Sequence, residues 1–252
     1  MKYAVITGAS SGLGKEFTDT VLSLMPGIDK IIIIARREER LTEIKKMLGE
    51  KIIPLAGDLT DRNFINRYCE YLKSENAEVE LLINNAGFGK LADFTDISVR
   101  DNAGMVRLNC EALTVMTAVT LPFMSENSHI INVCSIAAFA PNARMAVYSS
   151  TKAYVLSFSR ALRFELKSKK ISVTAVCPGP MDTEFLPVAN IEKGTSKTFD
   201  TLPRVNPKKM ARGAIKAAIK NKSVYTNRFF YKFYRFIAKI LPASLVMKWC
   251  KT

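Results

Sequence analysis

Short apolar blocks alternate along this chain with longer amphipathic stretches. Met1–Ile6, Lys30–Ile34, Lys51–Ala56, Val79–Ile83, His129–Cys134 and Ile171–Cys177 are strand-length runs rich in Ile, Val, Leu and Ala. Their apolar character is mostly continuous, as strands buried on both faces require. Between them, Lys15–Met25, Glu38–Leu48, Asp61–Ser74, Asp101–Ser125, a stretch from Lys152 to about Lys169, and Pro207–Lys220 read as helices, and Ser223–Thr226 as a short last strand. Strands alternating with helices predict an α/β fold: a single doubly wound, Rossmann-type parallel sheet with helices on both faces. No linker-like tract divides the 252 residues, of which 48% are apolar. One domain spanning 1–252 is therefore expected.

Two stretches break the alternation. Asp182–Arg204 is irregular, with Gly194, Thr195, Ser196 and Pro203. Beyond Arg228, the basic residues Arg228, Lys232, Arg235 and Lys239 fall within about 60° on a helical wheel, with Phe229, Phe230, Phe233, Phe236, Ile237, Ile240 and Leu241 on the other side. Tyr231 and Tyr234 lie at the margins, and Pro242 separates a second apolar turn, Ser244–Trp249. The expected C-terminal extension, 228–252, is thus amphipathic and helical. A cap on the core or a subunit interface, an interfacial membrane helix, and a site for an acidic protein such as an acyl carrier protein all stay open.

Charge sharpens that picture. Of the net +14, thirteen Lys/Arg and no acid lie after Asp200, which leaves 24 basic against 23 acidic residues before it. A near-neutral body with a basic tail is not a uniformly basic nucleic-acid binder, and no nucleic-acid partner is expected. The first strand starts at residue 2 and no apolar run reaches spanning length, so neither a signal peptide nor a membrane-spanning helix is expected. Cys69, Cys110, Cys134, Cys177 and Cys250 are scattered and read as reduced thiols; with His129 the only histidine, no metal site is expected. The expected location is cytoplasmic, with peripheral membrane attachment if the tail is interfacial.

Candidate chemistry gathers where strands end. Gly8, Gly12 and Gly14 stand between the first strand and the first helix. Such a turn admits pyrophosphate to bare backbone at a helix N-terminus. The second strand ends in Ala35-Arg36-Arg37, where an acid would select a free ribose hydroxyl. Two guanidinium groups suit a 2′-phosphate instead, favouring NADP(H) over NAD(H). Asp58 and Asn84–Gly87 follow the third and fourth strands, Ser135 follows the fifth, and Tyr148 and Lys152 share one helical face.

Thr7–Gly14, Asn84–Gly87, Ser135, Tyr148-x-x-x-Lys152 and Pro178-Gly179 stand in the order and spacing of the short-chain dehydrogenase/reductase family, which the chain resembles over residues 2 to about 185. The resemblance implies a catalytic set of Asn109, Ser135, Tyr148 and Lys152. It implies cofactor contacts from Gly8, Ser10, Ser11, Gly12, Leu13, Gly14, Arg36, Arg37, Asp58, Leu59, Asn85, Ala86, Gly87, Tyr148, Lys152, Pro178, Gly179, Met181 and Thr183. Asp58 would meet the adenine and Thr183 the nicotinamide carboxamide. Residues 182–206 would close over the substrate, and Phe185, Leu186, Val188 and Phe199 there suggest a hydrophobic one.

The implied activity is NADP(H)-dependent interconversion of a carbonyl and a secondary alcohol, with a small-molecule substrate and a homo-oligomeric enzyme. Tyr148 would supply the proton, Ser135 would hold the carbonyl oxygen, and Asn109 would keep the lysine in place. An ammonium about 4 Å away is worth about 4 kcal/mol at a dielectric of about 20, enough to bring the phenol from about 10 towards 7. A 3-oxoacyl carrier-protein reductase and a hydroxysteroid dehydrogenase are the alternatives within enzymes. A dinucleotide-binding sensor or scaffold recruited by its tail is the alternative of another class.

Overall fold

The computed structural model describes residues 1–192 and 194–249. Cys250 and the last two residues of the expected 228–252 extension lie outside the described residues. Seven strands, β1 (Lys2–Thr7), β2 (Lys30–Ala35), β3 (Ile52–Ala56), β4 (Glu78–Asn84), β5 (His129–Val133), β6 (Ser172–Val176) and β7 (Val224–Tyr225), form one sheet in the order 3-2-1-4-5-6-7. Every pairing is parallel. The strand order reverses between β1 and β4, and in such sheets the crevice beyond that junction takes the ligand.

Both faces are covered, which explains the unbroken apolar runs. Ile31 and Ile33 of β2 join one buried cluster with Phe17, Val21, Met210 and Ile215, from α1 (Gly12–Leu24) and α9 (Pro207–Ile219). Ile32 and Ile34 join the opposite cluster with Phe64, Tyr68 and Met116, from α3 (Arg62–Ser74) and α5 (Leu113–Thr120). A strand with a single apolar face could not serve both layers. The other helix on this side of the chain, α2 (Glu38–Leu48), contributes Leu41 and Ile44 to the first cluster.

The stretch expected as one helix over 101–125 is broken into pieces. Ser98 caps α4 (Val99–Val106) by accepting from the Asp101 N–H, a π-helical turn covers Arg107–Ala112, and α5 ends at Thr120 before a 3₁₀ turn containing Pro122. Proline has no N–H to continue the ladder. The next helix, α6 (Ala146–Glu165), begins before Tyr148 and so includes both expected members of its catalytic face. Residues 182–204, expected to be irregular, contain two short helices, α7 (Phe185–Val188) and α8 (Lys197–Thr201). The Ser196 side chain accepts from the Phe199 N–H to start the second.

The tail forms α10 (Phe229–Ile240) and α11 (Ala243–Trp249). Tyr231, placed at the margin of the wheel, is the residue that faces inward, with no exposure. Its ring lies on the bare backbone of Gly179, where a Cβ would stand 2.3 Å from Cε2, and its hydroxyl donates to the Pro203 carbonyl at 2.7 Å. The start of α10 is therefore part of the core. Tyr231→Ala should cost about 3–5 kcal/mol, as for other buried aromatics cut to alanine. Tyr231→Phe should cost about 1 kcal/mol for the lost hydrogen bond. Urea unfolding measures both; wild-type stability for Tyr231→Ala would mean that α10 is not docked as described.

Candidate active site

The β1–α1 turn and the end of β4 meet with almost no space between their backbones. Gly8 takes a positive φ of 64°, and a Cβ there would lie 2.8 Å from Ala86 Cα. One on Gly14 would lie 2.1 Å from the Gly8 carbonyl oxygen. Asn85 Nδ2 donates to the carbonyls of Thr7 at 3.0 Å and Gly8 at 3.1 Å, and the Thr7 hydroxyl accepts from the N–H groups of Asn85 and Ala86. Ser11 is the N-cap residue of α1, yet no side chain caps that helix. A bare turn, uncapped N–H groups and a helix N-terminus together fit the pyrophosphate of a dinucleotide.

These groups open into a cavity of about 1310 Å³. Every residue expected to touch the cofactor lines it except Gly14, whose role is the close helix–strand packing. At one end, Arg37 Nη2 donates to the hydroxyls of Ser10 at 3.0 Å and Ser11 at 3.1 Å and pairs with Glu184 at 2.8 Å. Glu184 also pairs with Arg40 at 3.7 Å, and its carboxyl is held below the ordinary range mainly by the hydrogen bond from Arg37. Burial would raise the carboxyl of Asp58, at the end of β3. The N–H and hydroxyl of Thr60 outweigh that and hold it low, with Arg36 adding to the effect. Thr183 lies against the turn, its Cβ 3.3 Å from where a Gly12 Cβ would stand.

At the other end Ser135, Tyr148, Lys152 and Asn109 converge, all buried. Lys152 Nζ donates to the Val133 carbonyl at 2.9 Å and stands 5.8 Å from the centroid of the Tyr148 ring. Asn109 sits in the π-helical turn, a feature frequent at functional sites. Its Nδ2 donates to the Phe88 carbonyl at 2.9 Å and to the Thr151 hydroxyl at 3.0 Å, while its Oδ1 accepts from the Phe88 N–H. Thr151 in turn donates to the Tyr148 carbonyl at 2.8 Å. Lysine and asparagine flank Gly87, where a Cβ would lie 2.8 Å from Asn109 Oδ1 and 3.4 Å from Lys152 Nζ. The direct partner of the lysine is thus the Val133 carbonyl, and Asn109 braces the neighbouring backbone.

The electrostatics differ from the expected phenol near 7. Burial pushes the Tyr148 phenol well up, with the Ser135 hydrogen bond pulling the other way. Burial also lowers Lys152, against the pull of the nearby Cys134, Cys110 and Cys177. Both groups are driven towards their neutral forms by the same loss of solvent. The four described cysteines are free, and His129 bonds Ser172 across β5 and β6 through Nδ1 at 2.6 Å.

The segment expected to close over the substrate packs against the phenol ring. The Phe185 ring of α7 is 5.6 Å from that of Tyr148, and the Leu91 N–H donates to the Ala189 carbonyl at 2.9 Å. Two contributions fall outside the set expected from sequence. Glu184 reaches Arg37 across 147 positions, and α10 supplies Phe230, Tyr231 and Phe233 to the cavity wall. An acid beside Thr183 and an unclaimed aromatic helix are the only sequence signals that pointed to them.

The model of the short chain dehydrogenase family matches residues 2–193. The NADP-dependent 3-hydroxy acid dehydrogenase of Schizosaccharomyces pombe is 37% identical over 191 residues, 73% of each chain. The enzyme of the same name from Escherichia coli K12 is 35% identical over 185 residues, 72% of this chain and 73% of the other. A short-chain dehydrogenase from Sphingobium yanoikuyae in complex with NADPH superposes with a TM-score of 0.77 at 25% identity, over 96% of this chain and 97% of that one. A match across the sheet, the glycine turn and the Tyr148–Lys152 helix leaves one assignment: this chain belongs to the short chain dehydrogenase family of oxidoreductases.

Proposed function

We propose that this oxidoreductase uses NADP(H) to interconvert a carbonyl and a secondary alcohol on a hydrophobic substrate, with Tyr148 as the acid/base. The observation that carries this reading is a single cavity with Ser135, Tyr148 and Lys152 at one end and Arg36 and Arg37 at the other. The NADP dependence of the two relatives supports the cofactor, and their 3-hydroxy acid substrates make 3-oxo acids the first class to try. The apolar wall around Tyr148, with Met145, Phe185, Leu186 and Phe199, supports a hydrophobic substrate.

The bound cofactor supplies the hydride, and this chain's residues handle the oxygen and its proton. The hydroxyl of Ser135 is a donor for the carbonyl oxygen and its developing charge. Burial keeps the Tyr148 phenol protonated, the state from which it gives a proton during reduction. Once that proton has left, a charged Lys152 offsets the phenolate. An ammonium and a phenolate about 5 Å apart at a dielectric of about 20 attract by about 3 kcal/mol, or about two pKa units. Asn109 and Thr151 fix the start of α6 and the backbone at Phe88, so the phenol and ammonium keep their separation. The Phe185 ring packs beside the phenol and adds to the apolar wall there.

NADPH oxidation followed over 3-oxo acids, 3-oxoacyl thioesters, aliphatic ketones and oxosteroids tests the activity. Tyr148→Phe should lower kcat by about 10²–10⁴-fold and leave NADPH affinity nearly unchanged. Retention of more than about a tenth of the turnover would assign the proton to another group.

Arg37 carries the cofactor preference in a second test. Replacing Arg36 with Asp and Arg37 with Ala should weaken NADPH over NADH by at least about tenfold, given about 1.5–3 kcal/mol per charge-assisted bond. Glu184→Gln removes the carboxylate now paired with Arg37 and should tighten NADPH more than NADH. Calorimetric titration reads both. Equal changes for the two cofactors would reduce these arginines to supports of the fold.

A further inference from the structure

The tail carries two different apolar surfaces, and only one is used by the core. Tyr231, Tyr234, Arg235 and Ala238 turn α10 towards the protein. Phe229, Phe233, Phe236 and Ile240 are 81%, 54%, 59% and 61% exposed. On a wheel these four fall within about 60° of one another and nearly opposite Tyr231. A helix that merely capped the core would present polar residues there. Beside the aromatic stripe runs a second one of exposed cations, Arg228, Lys232 and Lys239. After Pro242, α11 continues the arrangement with exposed Leu245, Met247 and Lys248.

We infer that this face is a docking surface for an anionic lipid bilayer, on which α10 lies in the plane of the interface. Charge decides the occupant. The chain has thirteen Lys/Arg and no acid after Asp200, so a second copy brought onto the stripe would set cations against cations with no local acid to pair them. A flat anionic surface satisfies all of them at once, while the convex row of Phe and Ile side chains enters the boundary between headgroups and acyl chains. No helix among the described residues is long and apolar enough to cross a membrane, so attachment is to one leaflet.

The same helix links this face to the cavity. Phe230 and Phe233 line the cavity and are each about half exposed, which places them at its rim. Docking sets that rim at the lipid surface, where a hydrophobic substrate is concentrated. The binding itself does not depend on the proposed reductase activity, and its test measures binding alone.

The full-length protein is co-sedimented with vesicles of phosphatidylcholine and of phosphatidylcholine mixed with phosphatidylglycerol, at low and high salt. Binding should require phosphatidylglycerol and weaken with salt. Each cation near an anionic surface is worth about fivefold in affinity. Lys232→Glu with Lys239→Glu should therefore weaken binding at least about tenfold. The triple change Phe229→Ser, Phe236→Ser, Ile240→Ser should do the same. None of these five residues lines the cavity, so NADPH affinity and the melting temperature should stay near wild type. The charge reversal alone, at two exposed positions, keeps the test valid if the triple variant folds poorly.

Failure of the wild type to bind anionic vesicles at low salt overturns the inference, as does binding that survives both sets of substitutions. So does a sizing experiment in which the triple variant dissociates an oligomer that does not bind vesicles, since a second copy would then cover the stripe.

Discussion

The approach of two backbones at the β1–β4 junction, too close for any side chain between them, is the constraint on which the rest of the molecule depends. A Cβ on Gly8 or Gly14 would overlap Ala86 or the Gly8 carbonyl, and the Asn85 amide and Thr7 hydroxyl tie the two strand ends together. This junction aims the start of α1 at the crevice where strand order reverses. It also sets Gly87 against Asn109 and Lys152. The glycine turn and the Asn109–Lys152 cluster are thus held by one continuous set of contacts. Widening the junction by one methyl would displace both.

The second constraint is dryness. Tyr148 and Lys152 are buried within one turn of helix, and burial opposes charge on each. A lone buried ammonium would be costly, and the Val133 carbonyl offsets part of that cost. The phenol's hydrogen bond with Ser135 works against burial in the same way. The same loss of solvent thus favours a protonated phenol and opposes charge on the lysine.

Much of this was legible from residues alone, for identifiable reasons. Continuous apolar runs announce strands covered on both faces, and Ile31 to Ile34 do divide between the two core clusters. Local spacing announced Tyr148 and Lys152, because four residues of helix bring them to one face. Features set by distant partners were not legible. A wheel ranks Tyr231 by polarity and cannot see that Gly179, 52 residues earlier, leaves a bare seat for its ring. Charge counting finds Arg37 but not the Glu184 that neutralises it. Helical periodicity passes smoothly through Asn109, although the ladder there widens to a π turn so that its amide can bond the Phe88 backbone. The lower basicity expected for the phenol also failed to appear, because burial of the ring outweighs the hydrogen bond with Ser135.

The bare turn and its arginines should form a seat for a phosphorylated dinucleotide. Calorimetric titration of the unaltered protein with NADPH and with NADH measures that seat without knowledge of the substrate. One site per chain is expected, with NADPH bound at least about tenfold more tightly than NADH, the worth of one charge-assisted hydrogen bond. Equal affinities, tighter NADH, or no binding of either would rule that seat out.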